Sequence, residues 1–114
     1  MKDIKNIKNY YHSDCWGILF GKNISTSRVG SMSAGQIIEL YLAWSEDKVF
    51  EAKARVYGGP YLINAAGFLC EWIIGKEKKD FPEFTAQKIL NIFEFPEFKK
   101  SAAFLVEDVL RGIP

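Results

Sequence analysis

Soft metal ligands are scarce in this chain: two cysteines, Cys15 and Cys70, and one histidine, His12. So few argue against a disulfide framework and leave little material for a metal centre. They also make a reducing, cytoplasmic setting the default expectation. An excess of charge is missing too, since 15 basic against 14 acidic residues leave a formal net charge of +1. That balance gives no field suited to nucleic acid or to an anionic membrane, and neither partner is expected. Lys76, Lys78 and Lys79 with Asp80 read as a solvated turn. No apolar run approaches the roughly 18 residues that a membrane span requires. The opening MKDIKNIKNYYHSDC has no apolar core and no Arg, and it carries Asp3. Neither a secretory leader nor a transit peptide is therefore expected there.

What is present suits one globular domain over residues 1–114, because 48% of the residues are hydrophobic. The spacing of Ile4, Ile7 and Tyr10 or Tyr11 predicts a short helix over 3–12, and the apolar Trp16–Phe20 a strand. A polar loop rich in Ser, Thr and Gly is expected from Lys22 to Ser33. Ile37–Trp44 reads as a strand, with Ile37, Glu39 and Tyr41 on one face and Ile38, Leu40 and Leu42 on the other. After a turn at Ser45–Lys48, Val49–Tyr57 alternates, placing Phe50, Ala52, Ala54 and Val56 toward a core and Glu51, Lys53 and Arg55 toward water. Adjacent strands joined so closely pair antiparallel.

Beyond Gly59 the period changes from two to about 3.6. Leu62, Ala65, Ala66, Leu69, Trp72 and Ile73 make one helical stripe, with Pro60 at its first turn and Gly75 as its stop. FPEF occurs twice, at Phe81–Phe84 and Phe95–Phe98, each copy read as a helix start with Glu near the positive end of the dipole. Phe98, Ala102, Leu105, Val106 and Val109 mark a last helix, ended by Gly112 and Pro114. The sum is an α+β domain, a small three-stranded antiparallel sheet packed with helices.

This order of segments resembles a known family. Gly30-Ser31-Met32-Ser33-Ala34-Gly35-Gln36 precedes a strand that ends in Tyr57-Gly58-Gly59-Pro60. A helix follows to Glu71-Trp72 and Gly75-Lys76, then Phe95-Pro96-Glu97-Phe98-Lys99, Ser101-Ala102-Ala103 and Val106-Glu107-Asp108. The series is similar to the IscU iron–sulfur cluster scaffolds and the N-terminal domain of NifU, which share the SufE/NifU-type fold. Residues 28–110 carry the likeness, and 1–27, an N-terminal helix and strand, match it loosely. The resemblance implies a carrier rather than an enzyme. His12, the one imidazole, has no nucleophile motif near it, and no catalysis is expected.

The resemblance also implies three cysteines, an Asp and a His around a cluster or zinc. At those five positions stand Ala34, Gln36, Gly59, Ser101 and Ala102. Ala and Gly have no donor atom, and the neutral oxygens of Gln36 and Ser101 suit soft metals poorly. The expectation is a fold without its cargo site and without a cofactor, acting as a partner-binding or regulatory module. In this family the segment matching Phe95, Pro96, Glu97, Phe98 and Lys99 is recognised by an Hsp70-type chaperone. Here it is either a recognition segment or a helix start with Phe95 and Phe98 packed inward. A cysteine desulfurase is the other candidate partner. The alternative is a metal or Fe–S carrier using His12 and Cys15, an i, i+3 pair, between two chains. A third reading is a small-molecule pocket at the vacated site beside Tyr57 and Tyr61. Cys70, flanked by Leu69 and Glu71, reads as a small core residue.

Overall fold

The computed structural model describes residues 14–114, so the expected helix over 3–12 and His12 lie outside the described residues. Three strands, β1 (Ile24–Ser31), β2 (Gln36–Ser45) and β3 (Lys48–Tyr57), form an antiparallel sheet in the order β1-β2-β3. Helix α1 (Pro60–Trp72) packs against β3, and α3 (Ser101–Arg111) lies against β1, β2 and α1. Between them come a 3-10 helix (Lys78–Glu83), the short α2 (Ala86–Ile92) and a 3-10 turn (Glu97–Lys99). Ile38, Leu40 and Leu42 of β2, all fully buried, meet Leu62, Leu69, Val106 and Val109 of the helices in one core. Among the described residues no helix is long and apolar enough to cross a membrane.

The first strand differs from the one expected. Trp16–Phe20 is not a strand: Trp16 makes a single parallel bridge to Ala54, through Ala54 N–H to the Cys15 carbonyl at 2.8 Å and Gly17 N–H to the Ala54 carbonyl at 2.9 Å. Gly17, at φ 138°, turns the chain away from the sheet, and Phe20 is left 84% exposed. The sheet is instead completed by β1, which falls inside the expected polar loop Lys22–Ser33. Its core-facing side carries Ser25 and Ser27, which conceal the strand from a hydrophobic pattern. Trp44 Nε1 donates to Ser25 Oγ at 2.9 Å, and a Cβ at Gly112 would overlap Ser27 Oγ. Small polar side chains stand there because an indole N–H needs an acceptor and the end of α3 comes close.

Phe50 is a second correction. Ala43 pairs with Glu51 but Trp44 with Val49, so Phe50 is the extra residue of a β-bulge. The bulge exchanges the faces: Val49 is buried and Phe50 is 57% exposed. The rest of the alternation holds, with Ala52 and Ala54 buried. At the far end of α1, Gly75 adopts φ 84° and its N–H reaches the Val49 carbonyl at 2.7 Å, tying the helix end to the start of β3.

Aromatic side chains line the open flank of α1. Contacts run from Tyr61 to Phe95 (5.3 Å between centroids), Phe93, Phe68, Phe84 and Trp72, with the Lys76 and Lys88 ammonium groups over the Trp72 ring. This row draws the two FPEF copies onto the same helix.

Candidate functional site

The sheet register decides which loops share an end of the molecule. Ser31 pairs with Gln36 and Ile37 with Tyr57, so the β1–β2 turn and the β3–α1 junction lie together. The Tyr61–Phe95 ring contact brings in Phe95–Lys99, and with it the start of α3. Positions 34, 36, 59, 101 and 102 therefore gather at this end, although they span most of the described chain.

Each position is held by local physics. In the turn, Gly35 N–H donates to the Met32 carbonyl at 3.0 Å and Ala34 N–H to Ser31 Oγ at 3.2 Å. Gly35 supplies the left-handed residue at φ 78°, leaving Ala34 exposed and Gln36 half-buried at the head of β2. Gly30, at φ 96°, lets the Gln36 carbonyl approach so closely that a Cβ would overlap it.

At the β3–α1 junction the tight approach belongs to Gly58, where a Cβ would lie 2.7 Å from Leu62 Cδ2. Gly59 is extended at φ −87° and ψ −178°, and a Cβ there would meet nothing within 4 Å. Glycine is required at 58 and not at 59. A thiol-bearing residue would be compatible with position 59, where glycine stands instead.

The two α3 positions differ. Ser101 is exposed, whereas Ala102 is 1% exposed and packs with Ala103, Ala65 and Ala66, small residues that let α1 and α3 approach. Position 102 thus serves helix packing. Across the five positions there is no carboxylate, imidazole or thiol. Among the described residues no group of three or more His, Cys, Asp or Glu side chains is placed to hold a metal ion.

Phe95–Lys99 does not pack as a simple helix start. Pro96 precedes the 3-10 turn, and Phe95 is half-buried against Tyr61. Phe98, expected inward as part of the last helix, is 79% exposed because it lies before α3, on the outside of the turn. Lys99 Nζ sits 5.6 Å over its ring, and Lys100 and Glu97 pair at 2.8 Å. The phenyl ring thus stands in solvent among charged side chains.

Cys15 is half-buried against the core, its carbonyl accepting from Ala54 N–H. Cys70 is 3% exposed on α1, a small core residue as expected. Interaction with the Cys15 side chain first, and then burial, push its thiol well above the usual range. An open cavity of about 330 Å³ is lined by Trp16, Gly17, Ala54, Arg55, Val56 and Ile63, at the outer edge of β3.

Comparison with known proteins agrees with this architecture. The model of the NifU-like N terminal domain family matches residues 3–112. The chain is 28% identical over 92 residues to the iron-sulfur cluster assembly scaffold protein IscU of Rickettsia prowazekii, covering 80% of this chain and 70% of the relative. It is 26% identical over 91 residues to the scaffold protein IscU of Haemophilus influenzae, covering 79% and 72%. Among solved structures, a putative iron-sulfur cluster assembly scaffold protein for the SUF system from Fervidobacterium islandicum superposes with a TM-score of 0.60 at 20% identity, over 90% of this chain and 76% of that one. A NifU-like N-terminal protein from Brucella abortus gives 0.61 at 14%, over 96% and 76%. At such identities the two structures attest the fold.

Proposed function

Since this chain belongs to the family of NifU-like N-terminal domains, related to the scaffolds of iron–sulfur cluster assembly, we propose that it serves that process without holding a cluster at the five family positions. It acts there as a non-catalytic, cytoplasmic partner-binding or regulatory module. The observation that carries this reading is the donor set. Ala34, Gly59 and Ala102 bring no ligand atom, Gln36 and Ser101 bring only neutral ones, and iron–sulfur clusters are held by thiolates. Open space at Gly59 supports it further, because neither the backbone nor a neighbour imposes glycine there.

The partner is a protein, a cysteine desulfurase or an Hsp70-type chaperone, met through Phe95, Pro96, Glu97, Phe98 and Lys99. Exposed Phe98 supplies the apolar anchor, and Glu97, Lys99 and Lys100 the polar surround.

Anaerobic reconstitution with ferrous iron and sulfide tests the first half. The expected product shows no cluster absorbance and substoichiometric iron; one cluster per chain would refute the reading. Metal-dependent dimerisation abolished by Cys15→Ser would replace it with a carrier that shares its site between chains. Titration with each purified candidate partner tests the second half, with binding weakened at least tenfold by Phe98→Ala as the expected result.

A further inference from the structure

β3 forms one edge of the sheet, and its backbone groups point alternately to β2 and to the open side. Ala54 uses both of its outward groups on the Cys15–Gly17 segment, donating its N–H to the Cys15 carbonyl and accepting from Gly17 N–H. Residues two apart on a strand point the same way, so Val56 turns its N–H and carbonyl outward as well. Gly17, at φ 138°, carries the chain away before it reaches Val56, whose outward groups meet no partner among the described residues. The cavity of about 330 Å³ opens at this point, with Trp16, Val56 and Ile63 as apolar walls. An unpaired strand edge beside an apolar hollow is the arrangement that accepts an added strand.

The two faces of the sheet at this edge differ in charge. Val56 and buried Ala54 face the helices, whereas Arg55 and Lys53 stand on the outer face. There the Glu39 carboxylate meets Arg28 at 3.2 Å and Arg55 at 3.7 Å, so one anion serves two guanidinium groups. Lys53 adds a third cation, and Glu51, the other anion of this face, lies two cross-strand pairs from Arg55 toward the start of β3. We propose that the Val56 edge docks an extended segment of a partner protein, an aliphatic residue flanked on both sides by acidic ones. The segment runs antiparallel to β3, since one residue opposite Val56 then makes both backbone bonds, which suits so short an edge. Its aliphatic side chain enters the cavity beside Ile63, and its acidic neighbours point to the outer face, toward Arg55. A second copy of this chain is a poorer occupant, because it would set two Lys53–Arg55 rows on one face. This inference does not depend on the proposed function.

The experiment titrates the isotope-labelled full chain with the capped peptide TEVET and follows backbone amides by nuclear magnetic resonance. The controls are TKVKT and a TEVET peptide methylated on the valine nitrogen, which cannot donate to the Val56 carbonyl. TEVET should bind weakly, with the largest shift at the Val56 amide and a slower exchange of that proton with solvent. TKVKT should bind severalfold more weakly, and the methylated peptide should not shift Val56. Arg55→Gln, a change at an exposed side chain, should remove most of the discrimination between TEVET and TKVKT, while Phe98→Ala should leave the titration unchanged. The proposal is overturned by an unmoved Val56 amide at millimolar TEVET, by equal binding of either control, or by shifts centred on Phe98. A Val56 amide already slow to exchange without peptide, or one that shifts with protein concentration alone, would also overturn it, the latter assigning the edge to a second copy.

Discussion

The two FPEF copies have the same four residues and opposite fates. In the first, Phe81 and Phe84 are both buried, and Pro82 lies inside a 3-10 helix. In the second, Phe95 is half-buried and Phe98 is out in solvent, after Pro96 at the head of a shorter turn. What differs lies outside the tetrapeptide. The Arg111 guanidinium reaches the Phe81 and Phe84 carbonyls at 2.9 Å each, clamping the first copy to the end of α3. Phe84 then packs between Phe68 and Trp72 of α1. The second copy has no such clamp among the described residues, and Phe95 meets the rings of Tyr61 and Phe93 instead. A short motif here carries a turn preference, and the neighbours decide which ring is core and which is surface.

The contrast breaks hardest at Phe84. Phe84→Ala removes a fully buried ring and should cost about 3–5 kcal/mol, read as a lower midpoint in urea unfolding. Arg111→Met keeps the aliphatic stem but loses the bonds to the carbonyls, with an expected loss of about 1.5–3 kcal/mol. A smaller effect belongs to Thr85, whose Oγ1 accepts from Lys88 N–H at 3.1 Å and caps α2 just after the first copy. Thr85→Ala should cost about 1 kcal/mol by the same measurement. At the bottom of the order, Phe98→Ala should leave stability within about 0.5 kcal/mol while weakening partner binding. If Phe98→Ala destabilised as Phe84→Ala does, the two copies would not differ as described.

Much of the fold was legible. The period of two over Ile37–Trp44 and Val49–Tyr57, and the stripe from Leu62 to Ile73, correspond to β2, β3 and α1 because each element buries one face against a common core. β1 was hidden because Ser25 and Ser27 face inward, so its pattern is that of a loop until Trp44 and Gly112 are set beside it. Phe50 was misplaced because a bulge reverses the alternation, and nothing in VFEAKARVY marks the extra residue.

At the candidate site the side chains at the five family positions, and their places in the motifs, were legible from the sequence. It did not reveal that glycine is structurally required at 58 and not at 59, since both follow Tyr57 alike. It also gave no sign that Ala102 is taken into the helix interface while Ser101 beside it stays in solvent.

By itself, then, the sequence determined element types, strand pairing of β2 with β3, and the identity of the side chains at the site. These follow from hydrophobic period, turn chemistry and residue type, which are local. Only the tertiary structure decided that Phe84 is core and Phe98 surface, and that Ser25 lies in a strand. Those outcomes depend on which distant groups arrive alongside, an indole N–H or a guanidinium, and local pattern carries no record of them.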